Sequence, residues 1–266
     1  MSRAPSSGCG VLAVCNPEMD FDLTAALLIA AVAFLGAFVY GLTGFGAGLV
    51  QVPLATLFVD LRFALAVYAL LDTVIAARVM LQRHREVVRE EAVRLIPACM
   101  VGVGIGAALL AILPTWVLML SLGTFVLAYV AYRVAVRGNM PVVGRAWSLP
   151  FGVTGGMSSA MFGAGGPLYA IYLSMRPHRT REMRSTLAAT TLVSIGTRVV
   201  AFAVTGLLSS PSIWLTALCA VPAALIGLKV ADRAHGALSR EGLLRAITVM
   251  LFVAGVSLVV RALRSA

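Results

Sequence analysis

The sequence predicts an all-α membrane protein whose chain crosses the bilayer several times. Hydrophobic residues make up 60% of the 266 positions and charged residues 12%, whereas soluble domains are about 45–50% apolar and about 25% charged. The mean hydropathy is +0.96. Long apolar segments recur along the chain, and two of them contain the same glycine-rich stretch. These observations exclude an ordinary soluble fold.

Eight apolar segments are predicted. Six of them have about 20 residues, which is enough for one helical crossing of a hydrocarbon core about 30 Å thick. The first and the fifth are longer, with 37 and 28 residues. The segments are about 23–59, 63–82, 92–113, 115–136, 147–174, 185–208, 211–231 and 242–263.

The two longer segments each contain a predicted helix break. Phe-Gly-Ala-Gly occurs at 45–48 and again at 162–165, and the copies are followed by Pro53 and Pro167. Glycine adds backbone freedom and proline removes a donor, so neither stretch favours a continuous helix. In hydrocarbon an opened backbone is tolerated only where protein or a water-filled cavity surrounds it. A matched pair of breaks in two halves of a chain indicates a transporter's binding site.

Arginine placement predicts the topology. Four loops carry several basic residues each, whereas the turns near Pro114 and at 209–211 carry none, so the basic loops are predicted to be cytoplasmic. Segment five lies between two basic loops and is predicted to be a re-entrant hairpin. Segment one is predicted to do the same from the opposite face, although its length leaves two nearly full helices open. The basic loops are 83–94, 133–145, 176–184 and 229–245.

These segments divide into two related halves. Residues 1–22 form an N-terminal tail, 23–138 a first transmembrane repeat and 139–266 a second. Each half has one hairpin and three crossings, an odd number, so the second half is predicted to be inverted relative to the first. Inverted repeats with broken helices at their interface are a transporter architecture.

The breaks predict an anion site built from backbone amides. The first amides of the half-helix after a break have no partner and lie at the positive end of its dipole. The alternative is that the glycines only allow close helix packing. Tyr169 near the second break could line the site, but aromatic residues in membranes more often serve packing. The candidate substrate-binding residues are Thr43, Gly46, Ala47, Gly48, Gln51, Ser158, Ser159, Gly163, Ala164, Gly165, Gly166 and Arg198.

Two charges fall deep inside apolar segments. Asp72 and Arg198 lie there, and Arg78 lies nearer a segment end. An ionisable group at such a depth costs at least about 2.5–3.5 kcal/mol and usually faces a cavity or a partner. Arg198 could supply a fixed positive charge for an anion. Asp72 could pair with either arginine or carry a coupling proton, and for Arg78 extension to the cytoplasmic edge is the favoured interpretation.

The sequence lacks the motifs that other function classes would need. There is no Walker motif, no His-Glu-x-x-His and no paired catalytic carboxylates, so neither an enzyme nor ATP coupling is expected. The four cysteines show no metal or disulfide spacing, and no cofactor is expected. The formal charge of +10 is explained by the arginine-rich loops, so nucleic acid is not an expected partner. The expected partners are a small anion and the lipid bilayer, and a homodimer stays open.

The two motifs resemble those of the sulfite exporter TauE/SafE family. Residues 44–54 and 163–168 match the family's two glycine-rich motifs, each ending in Pro-Leu, with Ala47 where a glycine is common. The resemblance spans roughly residues 25–262. It implies secondary transport of small anions, among them sulfite and organosulfonates, coupled to the proton gradient.

The expectation is therefore a multi-pass permease of the bacterial inner membrane. It would move a small sulfur-containing oxyanion such as sulfite or an organosulfonate, outward rather than inward, with proton coupling. One alternative is an importer, or a carrier of another small anion or an organic acid. A membrane scaffold or sensor is the other alternative, but it would need a soluble domain or large loops.

Overall fold

The structure, a computed structural model, describes residues 23–43, 47–83, 87–135, 142–177, 179–234 and 240–265. Within these ranges all regular secondary structure is helical. The N-terminal tail, Gly46 and the predicted joint between the halves near Gly138 lie outside them. The ten α-helices are α1 (Leu23–Thr43), α2 (Ala47–Ala55), α3 (Leu61–Arg83), α4 (Arg89–Ile112), α5 (Thr115–Ala135), α6 (Ser148–Phe162), α7 (Gly166–Ser174), α8 (Thr180–Val204), α9 (Pro211–Ala234) and α10 (Arg240–Ser265).

Seven of these helices are long and apolar enough to cross a membrane. They are α1, α3, α4, α5, α8, α9 and α10, and they confirm the prediction of an all-α multi-pass membrane protein. The predicted total of eight segments is not confirmed. Segment five forms two short helices, α6 with 15 residues and α7 with 9. At about 1.5 Å per residue, neither reaches across a core about 30 Å thick.

Segment one also forms two helices, but these differ more in length than the two helices of segment five. Helix α1 has 21 residues and α2 has 9. By length α1 could cross the core alone, whereas α2 could cover only about half of it. The alternative of two nearly full helices is therefore wrong for this segment.

Segment five enters and leaves at the same end of the molecule. The Val143 amide before α6 donates to the Met175 carbonyl oxygen after α7 at 3.2 Å. The Arg176 guanidinium donates to the Val143 carbonyl oxygen at 2.7 Å. These two bonds join the chain on both sides of the segment, as expected for a hairpin.

Three of the four predicted basic loops meet at that end. The Val88 amide donates to the Thr186 hydroxyl at 2.9 Å, and Glu90 forms an ion pair with Arg145. Arg62, which is near the start of α3, instead donates to Leu113 in the turn between α4 and α5 at 3.0 Å. The bare turn near Pro114 therefore lies beside the start of α3, away from the basic loops at its end.

Glycines bring α1 and α9 together across the two halves. A Cβ on Gly227 would overlap the Phe34 carbonyl oxygen, and a Cβ on Gly41 would lie 2.5 Å from the Cβ of Ala231. Residue numbers therefore rise together along the two helices, which run parallel. Here the glycines do serve close packing, as in many membrane helix pairs.

The pair α4 and α6 is packed in the same way. A Cβ on Gly102 would overlap the Val153 carbonyl oxygen, and a Cβ on Gly106 would lie 2.9 Å from the Cβ of Ala160. This pair is also parallel. In both pairs the first helix of a broken segment packs on the third predicted segment of the other half. Helix α1 of the first half packs on α9 of the second, and α6 of the second half packs on α4 of the first.

Candidate functional site

The two glycine-rich breaks touch each other in the middle of the molecule. A Cβ added to Gly48, near the start of α2, would overlap the Gly163 carbonyl oxygen at the end of α6. Gly163 itself has φ of 68°, a left-handed conformation that glycine adopts without steric cost. The backbones can approach this closely only because both positions lack a side chain. The motif found twice in the sequence thus forms one central contact.

The second break leaves two amides without acceptors. The Gly163 amide donates to the Ser159 carbonyl oxygen at 3.0 Å, and the Ala164 amide to that of Ser158 at 3.3 Å, which ends α6. The following amides, of Gly165 and Gly166, have no acceptor in the described part of the chain. They stand at the start of α7, where the helix dipole is positive. An anion could accept from both of them.

A cavity of about 30 Å³ lies where the breaks meet. A single water needs about 10–15 Å³ on the same measure, so the cavity has room for more than one water. Elements of both halves supply its walls. It is lined by Tyr40, Ala47, Gly48, Asp72, Ile75, Ser159, Gly163, Gly165, Gly166, Tyr169, Thr191, Ser194 and Ile195.

A buried ion pair stands beside the cavity. The Arg198 guanidinium donates to an Asp72 carboxylate oxygen at 3.0 Å and to the Ser159 carbonyl oxygen at 3.0 Å. The side chains of Arg198 and Asp72 are only 1% and 7% exposed. A Cβ on Gly163 would lie 3.1 Å from the guanidinium, so the second break also fits around this side chain. Of the two partners that the sequence leaves open for Asp72, the structure selects Arg198.

Hydroxyl groups form the polar wall of the cavity. Tyr169 lies 3.1 Å from the Ser194 hydroxyl and donates to the Cys99 sulfur at 3.1 Å. Ser194 donates to the Ser159 hydroxyl at 2.9 Å. The Tyr169 ring packs against Gly155 and Gly165, and a Cβ on Gly155 would overlap it. Tyr169 and Ser194 thereby use their protons within the wall, so the hydroxyls of Ser159 and Thr191 are the ones that can donate to a solute without adding charge.

Sequence reasoning missed Ser194 and Thr191 and treated Tyr169 as packing. One signal could have found Ser194. Buried polar residues recur every four positions along α8, which is rare on an apolar helix and indicates a face turned toward a cavity or a partner. The row consists of Thr186, Thr190, Ser194 and Arg198.

The structure brings seven of the predicted binding and coupling residues to the cavity wall: Ala47, Gly48, Asp72, Ser159, Gly163, Gly165 and Gly166. Arg198 stands behind the wall, bonded to Asp72 and Ser159. Gly46 and the Thr43 side chain lie outside the described residues. Whether any of these residues binds an anion stays a prediction.

Three predicted ligands have other surroundings. The Ser158 hydroxyl donates to the Gly155 and Ala164 carbonyl oxygens, which stabilises the break from behind the wall. Ala164 itself is fully buried. Gln51 is also buried, its carboxamide packs against Gly36 of α1, and neither of its polar atoms has a hydrogen-bond partner within the described ranges. Among the described residues these three do not line the cavity.

The comparison with known families decides the class of protein. The sulfite exporter TauE/SafE family matches residues 29–258, which include both breaks, the ion pair and the cavity wall. The chain belongs to the TauE/SafE family. TauE/SafE proteins are membrane transporters, so this chain is a multi-pass transporter of the sulfite exporter type and not an enzyme. No curated protein and no solved structure matches the chain.

Proposed function

We propose that this TauE/SafE protein exports a small sulfur-containing oxyanion, such as sulfite or an organosulfonate, across the bacterial inner membrane. The observation that carries the proposal is the pair of amides at Gly165 and Gly166, which have no acceptor in the described part of the chain and belong to two residues that line the cavity at the positive end of α7. Backbone amides at a helix start bind oxyanions without a charged side chain. Outward direction rests on the family description.

The halves are proposed to be inverted repeats, and the directions of α3 and α8 support this. Asp72 of α3 pairs with Arg198, late in α8, whereas Val88, after α3, bonds to Thr186, early in α8. Residue numbers rise along one helix as they fall along the other, so these equivalent helices run antiparallel. In the proposed arrangement the two breaks would lie near a pseudo-two-fold axis, and one half would rock against the other around a central site.

Asp72 is proposed to carry the coupling proton. Asp72 lines the cavity and accepts from Arg198, and its other oxygen has no hydrogen-bond partner among the described residues. When a proton binds Asp72, the charge of Arg198 is left uncompensated and attracts an anion. When the anion leaves, Asp72 loses the proton and pairs with Arg198 again. Proton and anion are thereby bound and released together, so the anion leaves with a proton and its own outward concentration gradient drives the export.

Thermal stability of the purified protein tests binding. A ligand at 100 times its dissociation constant stabilises the folded state by about 2.7 kcal/mol. We expect sulfite and small sulfonates to raise the melting temperature, and organic acids to do so less. Ser194→Ala removes one cavity hydroxyl and should weaken the response, whereas Thr124→Ala, on the exposed side of α5, should not.

Proteoliposomes loaded with sulfite test transport. We expect sulfite efflux that is faster when the lumen is made more acidic than the outside, because proton and anion leave together, and that is reduced at least tenfold by Asp72→Asn. Stabilisation by organic acids but not by sulfite or sulfonates would favour the alternative carrier. No stabilisation by any of these anions, together with no efflux, would contradict the proposal.

A further inference from the structure

The cavity wall carries only one charged side chain within the described ranges, and that side chain is acidic. Asp72 contributes its carboxylate, and the other lining residues are glycine, hydroxyl-bearing or apolar. The donors available to a solute are the amides of Gly165 and Gly166 and the hydroxyls of Ser159 and Thr191. All of these donors are neutral. A solute therefore meets strong hydrogen-bond donors without meeting a free positive charge.

The nearby positive charge is already balanced. Arg198 is bonded to Asp72 and to the Ser159 carbonyl oxygen, with 1% of its side chain exposed. The pair is buried, so each charge is balanced by the other and not by water or dissolved ions. The protein thus brings a net charge near zero to the cavity while Asp72 is ionised, and a net charge of about +1 when Asp72 is protonated.

Ligand charge then decides how much charge stays uncompensated. With Asp72 protonated, a singly charged anion balances Arg198, whereas a doubly charged anion leaves one negative charge over. With Asp72 ionised, a singly charged anion leaves one uncompensated negative charge and a doubly charged anion leaves two. In both states the dianion leaves one more uncompensated charge in a buried site, which is costly.

We propose that the cavity selects singly charged oxyanions and rejects doubly charged ones of the same size. The substrate class is then the monoanions, such as alkanesulfonates and hydrogensulfite, and sulfate is excluded by its charge and not by its shape. This rests on the proposed function, because it assumes that the oxyanion binds in this cavity.

Methanesulfonate and sulfate are the test pair, since both are tetrahedral at sulfur and similar in size but carry one and two charges. Calorimetric titration of the purified full-length protein at constant ionic strength measures both affinities. We expect methanesulfonate to bind at least tenfold more tightly. Sulfate binding that is equal or tighter would overturn the selection by charge while leaving oxyanion binding intact. If methanesulfonate, sulfate and sulfite all fail to bind, the proposed function itself is overturned.

Asp72→Asn tests the cause of the selection. Coulomb energy is proportional to ligand charge, so removal of one carboxylate charge should help a dianion twice as much in free energy. We expect methanesulfonate affinity to rise on the order of tenfold and sulfate affinity on the order of a hundredfold. The preference for methanesulfonate over sulfate should therefore become smaller. The control Glu90→Gln removes an exposed carboxylate outside the cavity and should change neither.

A preference unchanged by Asp72→Asn would overturn the charge explanation. If the variant does not fold because Arg198 loses its partner, the wild-type comparison of the two anions still decides the selection itself.

Discussion

The two glycine-rich breaks share four identical residues, yet the protein holds them in different ways. The second break, between α6 and α7, has its outer ends tied by a buried cluster. Glu91 of α4 accepts from Arg176 at 2.8 Å and from the Tyr172 hydroxyl at 2.5 Å, and Arg176 also bonds to Val143. For the first break the observed tie is lighter: Arg261 of α10 donates to the Thr56 carbonyl oxygen after α2 at 2.8 Å.

The inner ends differ in charge as well. Arg198 bonds to the Ser159 carbonyl oxygen and lies against Gly163, both in the second break. In the described part of the first segment, Gly48 and Val52 of α2 pack against Gly163, next to this charge. A duplicated motif therefore supplies matched backbone, while the side chains around it make the second break the more firmly held one. We infer that the first hairpin is the easier of the two to move during transport.

The largest expected effect comes from loosening the second hairpin. Glu91→Gln keeps the shape of the side chain but leaves the Arg176 charge, 11% exposed, without its carboxylate. Breaking one partner of a buried pair costs about 3–5 kcal/mol, and the exposed part of Arg176 places the expected loss near the lower limit, about 3 kcal/mol. Unfolding in mixed detergent micelles measures it.

Glu90→Gln is the matched control for that prediction. Glu90 neighbours Glu91 in sequence, but its pair with Arg145 has side chains 68% and 50% exposed. Such surface pairs contribute about 0–1 kcal/mol. Equal losses in the two variants would show that the buried cluster does not hold the second hairpin more firmly than surface charge does.

A smaller loss is expected from separating the two breaks. Gly48→Ala places a methyl group where the Gly163 carbonyl oxygen lies, and the backbone must shift. Overpacking of this kind costs about 1–3 kcal/mol. Gly196→Ala in α8 is the control, because a Cβ there meets nothing within 4 Å. We expect anion-induced thermal stabilisation to fall with Gly48→Ala and to persist with Gly196→Ala; the reverse result would remove the central contact from the site.

Hydropathy and arginine placement were enough to predict the helical membrane fold and the hairpin of segment five. They work because a bilayer demands long apolar helices and because loop charge reports which loops share a side. Glycine spacing likewise predicted where the helices break, since glycine acts on the local backbone; Pro167 stands at the start of α7, whereas Pro53 lies inside α2. Each of these signals is local in sequence.

The features that the sequence did not predict depend on contacts between distant segments. Gln51 carries a polar group suited to binding, but its carboxamide packs against Gly36, and no local pattern predicts that direction. Glu91 looks like an ordinary loop charge until the chain brings Arg176 beside it. Ser194 reads as a small helix residue until Tyr169 and Ser159 surround it. The cavity wall is thus a property of the packing between halves.

The smallest expected effect tests the lighter tie of the first hairpin. Arg261 lies near the end of α10, which the predicted topology puts outside the membrane, where an arginine goes against the positive-inside rule. Its bond to the carbonyl oxygen of Thr56, just past the end of α2, offers a structural reason for the exception, because a cation stabilises the negative end of a helix. Arg261→Gln should cost about 0.3–1 kcal/mol in the same unfolding assay.

Arg264→Gln is its control, one turn further along α10 and exposed, and it should cost less. If the first hairpin is the more mobile one, Arg261→Gln should also raise the rate at which a thiol reagent modifies a cysteine placed at Leu57. The rate at a cysteine placed at Ser174, beside the second hairpin, should not change. Equal changes at both positions would mean that the two hairpins move as one body. The lighter tie would then have no bearing on which break opens first.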